Sequence, residues 1–338
     1  MKISQLYTYP VKSLRGISVT EAEAARNGFT YDRRFMLVKV EEYQGLPHRN
    51  MHLTYFPEMV LFTTALELPE DTSDPGRLII TFNPPEGNPR SLTVPLAPEA
   101  NGLEEIDIDM HGSTTRGVDI GATYNSWFSS CFGFDVKFVY LGPNWRPVLM
   151  TTTTPQVQPS SWLSSITSNI PLLGNGKKEE ERISFADCAP YLVTSEKSLE
   201  NVSSRLEGEE MPMIKFRPNV VVSGASDHWE EDFWNEIAIG EEGEVRIVLA
   251  QNCARCASIN IDYATGKPGT GDGGKVLKKL QSDRRVDRGA KYSPVFGRYG
   301  FVTQNVALKG KIRVGDDVRV VGRNDKHTVF DWPGLTTA

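Results

Sequence analysis

The sequence predicts a β-rich α+β fold, and three observations carry that prediction. Short runs rich in Val, Ile, Thr and aromatic residues, bounded by Gly, Pro or Asn, recur along the whole chain. Segments with helical periodicity are few. Strands and helices do not alternate regularly, so a doubly wound parallel sheet is not indicated. At 338 residues the chain exceeds one ordinary domain and suggests two domains or one large composite.

Taken in order, "MKISQLYTYPVKS" at residues 1–13 reads as a strand stopped by Pro10, not as a signal or transit peptide. "RRFMLVKV", "RLIITF" and "VKFVYL" are further strands. Ahead of the last of these, "GATYNSWFSSCFG" predicts a helix with Trp127, Phe128 and Cys131 facing inward and Gly133 as terminator. From Leu149 to Glu181 the composition turns to Thr, Ser, Pro and Gly and ends in a charge run, which predicts a linker or mobile loop. In "TSEKSLENVSSRLEG", Ser195 is an N-cap, Leu199, Val202 and Leu206 share one helical face, and Gly208 supplies the stop. "PNVVVSG", "VRIVLA", "SINIDY" and "DDVRVVG" read as strands, and "GGKVLKKLQSD" as a third helix. There is no internal repeat. The simplest division is an N-terminal module over 1–148, a linker over 149–182, a second module over 183–323 and a tail over 324–338, with the first strands free to pack on the second module.

The formal net charge of -6, from 37 basic and 43 acidic side chains, argues against a nucleic-acid partner held by bulk electrostatics. No apolar run approaches the ~20 residues of a membrane span. Cys131, Cys188, Cys253 and Cys256 are too few for a disulfide scaffold, which fits a reducing, cytoplasmic setting with free thiols.

"CARC", residues 253–256, is the most informative short motif. A structural zinc site needs four ligands, and the five histidines are scattered singly at 48, 52, 111, 228 and 327. A redox dithiol would sit at a helix N-terminus, whereas this pair lies between two strand-like runs. Two buried small hydrophobes are the bland possibility. Arg255 between the cysteines tips the balance toward a thiolate, the form that ligates a soft or high-valent metal. Downstream, "GTGDGGK" imitates a phosphate-binding loop, but Val276 stands where Ser or Thr should hold magnesium, so a Gly-rich connection is expected. Lys12 and Ser13, Arg33 and Arg34, and Arg217 and Asn219 all stand at strand ends. Loops on a rigid sheet can bring such cations and donors together on an anion.

In this order, "YPVKS", "DRRFMLV", "FADCAPYLVTSEKSL", "FRPNVVVSG", "CARC" with "DYATG", "SPVFGRYGFV" and "IRVGDDVRVVG" resemble the MOSC-domain family, in particular its amidoxime-reducing members and their bacterial relatives. The resemblance implies a MOSC-type β-barrel domain combined with an N-terminal MOSC-associated α/β, barrel-like domain. It also implies a molybdenum cofactor, Mo-molybdopterin, whose metal takes one protein thiolate. That ligand and catalytic residue is Cys256, with Cys253 non-ligating. Lys12, Ser13, Arg34 (or Arg33, by a one-residue shift), Arg217, Asn219 and Arg255 then hold the pterin and its phosphate. Cys188, Ala189 and Ala254 supply backbone contacts, and Tyr299 a further contact. Thr54 stands where the family usually carries an arginine.

The activity implied is reduction of N-hydroxylated or N-oxide compounds. Electrons are expected from a separate b-type cytochrome with its flavin reductase, and no haem, flavin or iron–sulfur cluster is expected in the chain itself, which has no cysteine after Cys256. The mitochondrial members carry an anchor ahead of the first motif; here that motif starts at Tyr9, so a cytoplasmic protein without a membrane span is expected. A cofactor-binding or sulfur-carrier module without reductase activity is the alternative from another class.

Overall fold

A computed structural model describes residues 1–69, 76–152, 180–303 and 309–337. The protein is strand-rich, 39% strand and 15% helix, with a nearly closed barrel. Most of the stretch expected to be a linker lies outside the described residues; at its ends Arg146–Pro147 pairs with Arg182–Ile183. Among the described residues no helix is long and apolar enough to cross a membrane.

The barrel is built on an eight-stranded sheet in the order Ile17–Val19, Lys2–Thr8, Val220–Ser223, Tyr191–Ser195, Val295–Val302, Val245–Ala254, Trp234–Ile239 and Val318–Arg323. Its centre carries one parallel pair, Tyr191–Ser195 with Val220–Ser223. Val220, Val221 and Val222 are all fully buried, as a strand covered on both faces requires. The first strand closes the barrel. Lys2 bridges to Asp317, the Gly315 amide donates to the Ile3 carbonyl at 2.8 Å, and the Val318 amide donates to that of Met1 at 2.9 Å. Closure leaves few unpaired edges.

The N-terminal half adds a five-stranded sheet, in which Phe35–Lys39 lies beside Val136–Tyr140, and the meander Phe62–Glu67, Arg77–Phe82, Arg90–Pro95. Helix Ala122–Phe132 packs Phe128 against Phe62 and Phe138, with ring centroids 5.8 and 4.8 Å apart, and Gly133 ends it in the left-handed region as expected. The strand Glu105–Met110 alternates strictly: Ile106, Ile108 and Met110 are buried, while Glu105, Asp107 and Asp109 face out.

Helix Glu196–Ser203 is capped by Ser195, whose Oγ accepts from the Lys197 amide at 3.2 Å, but it ends before Gly208. The third helix, Val276–Gln281, is short. "SINIDY" is not a strand over its length. Ala257–Asn260 forms a single 3-10 turn that buries Ile259 beside Phe216 and Val276, and only Ile261–Asp262 is extended. The Gly-rich connection folds back on itself: the Gly274 amide donates to Thr270 and that of Lys275 to Asp272, and a Cβ on Gly274 would collide with the Gly269 carbonyl. Those amides are spent within the loop.

Candidate functional site

The strand Val245–Ala254 delivers "CARC" to the barrel mouth. Cys253, still in the strand, is buried, and Cys256, just past it, is exposed. The Arg255 guanidinium donates to Cys253 Sγ at 2.9 Å and to the Phe216 carbonyl at 2.7 Å. Of the two cysteines that flank it, it therefore faces Cys253, because residues two apart at a strand end share a side. Cys256 Sγ instead lies 3.1 Å from Ser258 Oγ and 3.7 Å from Thr54 Oγ1.

Around these residues is a cavity of about 110 Å³ walled by Lys12, Ser13, Ala189, Arg217, Asn219, Ala254, Arg255, Cys256 and Tyr299. Residues separated by almost 290 positions thus meet at one place. Two expected residues do not line it. Cys188, expected only as a backbone contact, stands between the lining residues Asp187 and Ala189 with its side chain buried in the core cluster that holds Phe301 and Trp332, and burial pushes its thiol up. Arg34 turns to another cavity, where its guanidinium lies 4.6 Å from the Trp145 ring and donates to the Gly142 carbonyl. Arg33 lines the site in its place.

The reason is backbone geometry. Arg33 has φ 51°, and the Arg33 amide donates to Tyr9, that of Phe35 to Pro10 and that of Lys12 to Phe35, so the turn before Phe35 is strapped to residues 9–12. Ser13 at φ 68° and Arg217 at φ 56° are also left-handed. Among the described residues, three of the seven non-glycine residues with positive φ thus wall one small cavity, a concentration of strain that marks functional sites.

Tyr9, which the sequence reading passed over, organises the cations. Its ring centroid is 4.6 Å from the Arg33 guanidinium carbon and 4.4 Å from that of Arg217, and its hydroxyl donates to the Pro218 carbonyl at 3.0 Å. Arg33 also donates to Asp32 at 2.5 Å and to Asn219 Oδ1 at 3.2 Å. Asp187, also missed, forms an ion pair with Lys12. Its sequence signal was a lone carboxylate between small residues in "FADCAPY". Desolvation in the cleft raises the Asp187 carboxyl, but Lys12, His111 and His52 outweigh it and hold it far below the usual range. Lys12 is lowered by burial, which Asp187 only partly offsets.

Four cationic side chains, Lys12, Arg33, Arg217 and Arg255, thus face two carboxylates, Asp32 and Asp187, and the balance favours an anion. Among the described residues the Nε of Arg255 is buried without a partner, a donor left over for a bound group. One exposed soft sulfur stands at the rim. The donor set suits a phosphorylated group carrying a thiolate-ligated metal.

A second, larger cleft of about 1040 Å³ is lined by His52 and His111, whose ring centroids lie 6.0 Å apart and whose charges act on Asp187. Burial pushes the His52 imidazole down to about 3, with Lys12 adding to the effect, and burial also lowers His111.

A MOSC N-terminal beta barrel domain is matched over residues 1–135 and a MOSC domain over residues 180–319. The chain belongs to the MOSC-domain family. It is 32% identical to mitochondrial amidoxime-reducing component 1 of Mus musculus over 95% of this chain and 82% of that protein, and 28% identical to the Homo sapiens component 1 over 95% and 83%. The Rattus norvegicus mitochondrial amidoxime reducing component 2 is 30% identical over 94% of this chain and 82% of its own length.

Proposed function

We propose that the protein is a molybdenum-cofactor-dependent reductase of N-hydroxylated compounds, fed by a separate electron-donor protein. The carrying observation is the single exposed thiol of Cys256 at the rim of a cavity ringed by Lys12, Arg33, Arg217 and Arg255. The relatives' names and their coverage of nearly the whole chain support the same reading.

In this proposal Cys256 is the metal's protein ligand, with Ser258 and Thr54 as hydroxyl neighbours of its sulfur. Arg217 and Arg33, both resting against the Tyr9 ring, hold the cofactor's phosphate, with Lys12, Ser13 and Asn219 as further donors, and Arg255 Nε takes a pterin acceptor. Ala189, Ala254 and Tyr299 shape the wall. When bound, the cofactor supplies two-electron redox chemistry. The overall reaction takes an N-hydroxyl compound, two electrons and two protons to the amine-type product and water. The chain contributes orientation, an ionised Asp187 that accepts hydrogen bonds, and the neutral imidazoles of His52 and His111 facing the substrate side.

The electrons come, in this proposal, from a separate protein, a b-type cytochrome with its flavin reductase, a reading that the names of the relatives support. Free cysteines suit a reducing compartment, and we place the protein in the cytosol.

The test is elemental analysis and viologen-driven turnover of protein made in a host that synthesises the cofactor. About one molybdenum per chain and reduction of an amidoxime, both lost in Cys256→Ala, are expected. Zinc in place of molybdenum refutes the proposal, and bound cofactor without turnover of any N-hydroxyl compound replaces it with a carrier role.

A further inference from the structure

We propose that Ser258, with Thr54 as a weaker second, is a hydrogen-bond donor to the Cys256 sulfur and sets how strongly that sulfur donates electrons to a bound metal. Ser258 is a positioning residue in this role, acting on the metal through the thiolate. The inference rests on the reading of Cys256 as the metal's ligand and adds to it the group that tunes that ligand.

Two hydroxyls converge on one sulfur. Ser258 Oγ lies 3.1 Å from Cys256 Sγ, and both residues line the smaller cavity. Thr54 Oγ1 approaches the same sulfur from the other half of the chain, at 3.7 Å. Neither hydroxyl makes another hydrogen bond among the described residues. A hydroxyl proton rotates to suit its neighbour, so both donate once the sulfur is a thiolate, which can only accept.

Both hydroxyls are carried by anchored turns. The Ala257–Asn260 turn is tied at its entrance by the Arg255 amide, which donates to the Pro294 carbonyl at 2.8 Å. At its exit Asn260 Oδ1 accepts from the Leu277 amide at 3.0 Å, and the Asn260 carbonyl accepts from that of Gly269 at 2.8 Å. Between these ties Ile259 is buried in the cluster of Phe216 and Val276. The turn that carries Thr54 is closed by the Tyr55 and Phe56 amides, which donate to the His52 carbonyl at 3.0 and 2.9 Å, and is rooted by the buried Leu53 and Phe56 side chains. Rigid support of this kind lets a neighbouring donor orient a metal ligand and adjust its basicity.

The kind of donor decides the effect. Cys253 and Cys131 each accept from a guanidinium, Arg255 at 2.9 Å and Arg90 at 3.3 Å. Cys256 instead meets two neutral hydroxyls. A neutral donor leaves the thiolate its negative charge for a metal and withdraws only part of its electron density. That density is greatest when the metal is reduced, so the hydrogen bond is strongest in the reduced state and raises the reduction potential.

The test is a potentiometric titration of the molybdenum-loaded fraction, followed by the Mo(V) electron paramagnetic resonance signal. Ser258→Ala should move the equilibrium toward the oxidised metal by roughly three- to tenfold, the upper figure being a drop of about 59 mV for a one-electron step, and should alter the signal. Ser258→Thr, which keeps the hydroxyl, should return both toward wild type. Thr54→Val should give a smaller shift of the same sign. An unchanged potential and signal in Ser258→Ala overturn the inference, as does a shift that Ser258→Thr leaves uncorrected or that Thr54→Val exceeds. Wild-type protein that takes up no molybdenum from a host making the cofactor refutes the reading of Cys256 as ligand instead.

Discussion

Replacing His52 by glutamine is expected to flatten the acid limb of the protein's stability. His52 lines the larger cleft, and burial with the nearby Lys12 charge pushes its imidazole down to about 3 from an ordinary value near 6.5. Below about pH 6.5 the unfolded chain therefore binds a proton that the folded protein refuses, and stability falls with pH until the folded value is reached. The slope for one group is about 1.4 kcal/mol per pH unit. One and a half units, from pH 6.5 to pH 5, cost about 2 kcal/mol through His52 alone. His48 and His111, also lowered by burial, act with the same sign. Asp187 does not interfere: its depressed carboxyl contributes stability above the ordinary aspartate range and loses it only at more acid pH. Glutamine keeps a hydrogen-bonding side chain and removes the titration. Urea unfolding at pH 7.5 and pH 5.0, on protein made without cofactor, should show the difference between the two pH values shrinking by about 2 kcal/mol in the variant. An unchanged difference refutes the assignment of a neutral, desolvated imidazole at His52.

Cys253→Ala leaves the Arg255 guanidinium without its sulfur acceptor and should cost about 1–3 kcal/mol in urea unfolding, whereas Cys256→Ala, at an exposed position, should leave the midpoint near wild type and abolish molybdenum retention. Arg33→Ala should lower cofactor content at least about tenfold under limiting supply, measured as pterin fluorescence after denaturation, while Arg34→Ala should not. Arg146 is fully buried and donates to the carbonyls of Met110, Ser113, Ser184 and Ala186, so Arg146→Met should destabilise by about 3 kcal/mol or more in the same unfolding assay.

The parts of the fold legible in sequence are those decided locally. Strand Arg77–Phe82 matches its apolar run, Ser195 caps its helix through its own hydroxyl, and Gly133 ends another because only the left-handed region is open there. "SINIDY" misled because its alternation fits a strand, while burial of Ile259 against Phe216 demanded a tight turn. The choice between Arg33 and Arg34 was hidden, since it depends on positive φ at Arg33 and on amides strapping it to Tyr9 and Pro10. Arg255 advertised a charged cysteine pair, but its direction along the strand end could not be read. The larger cleft was invisible for a different reason: its walls come from residues 43–55, 107–116 and 333–335 with Asn144, no one of which carries a motif.

Barrel closure by Lys2–Thr8 sets a clock on maturation. This strand leaves the ribosome more than 200 residues ahead of its partner Val220–Ser223 and more than 300 ahead of Asp317. Pairing over such separations is slow, and until it happens the nascent segment exposes Ile3 and Leu6, both buried in the finished protein. Lys12 and Arg33 are tied to that strand's end, while Arg217 and Arg255 arrive with the late strands. The cationic cavity is therefore assembled only after translation has passed residue 255, and an anion arriving earlier would find half a ring of charges.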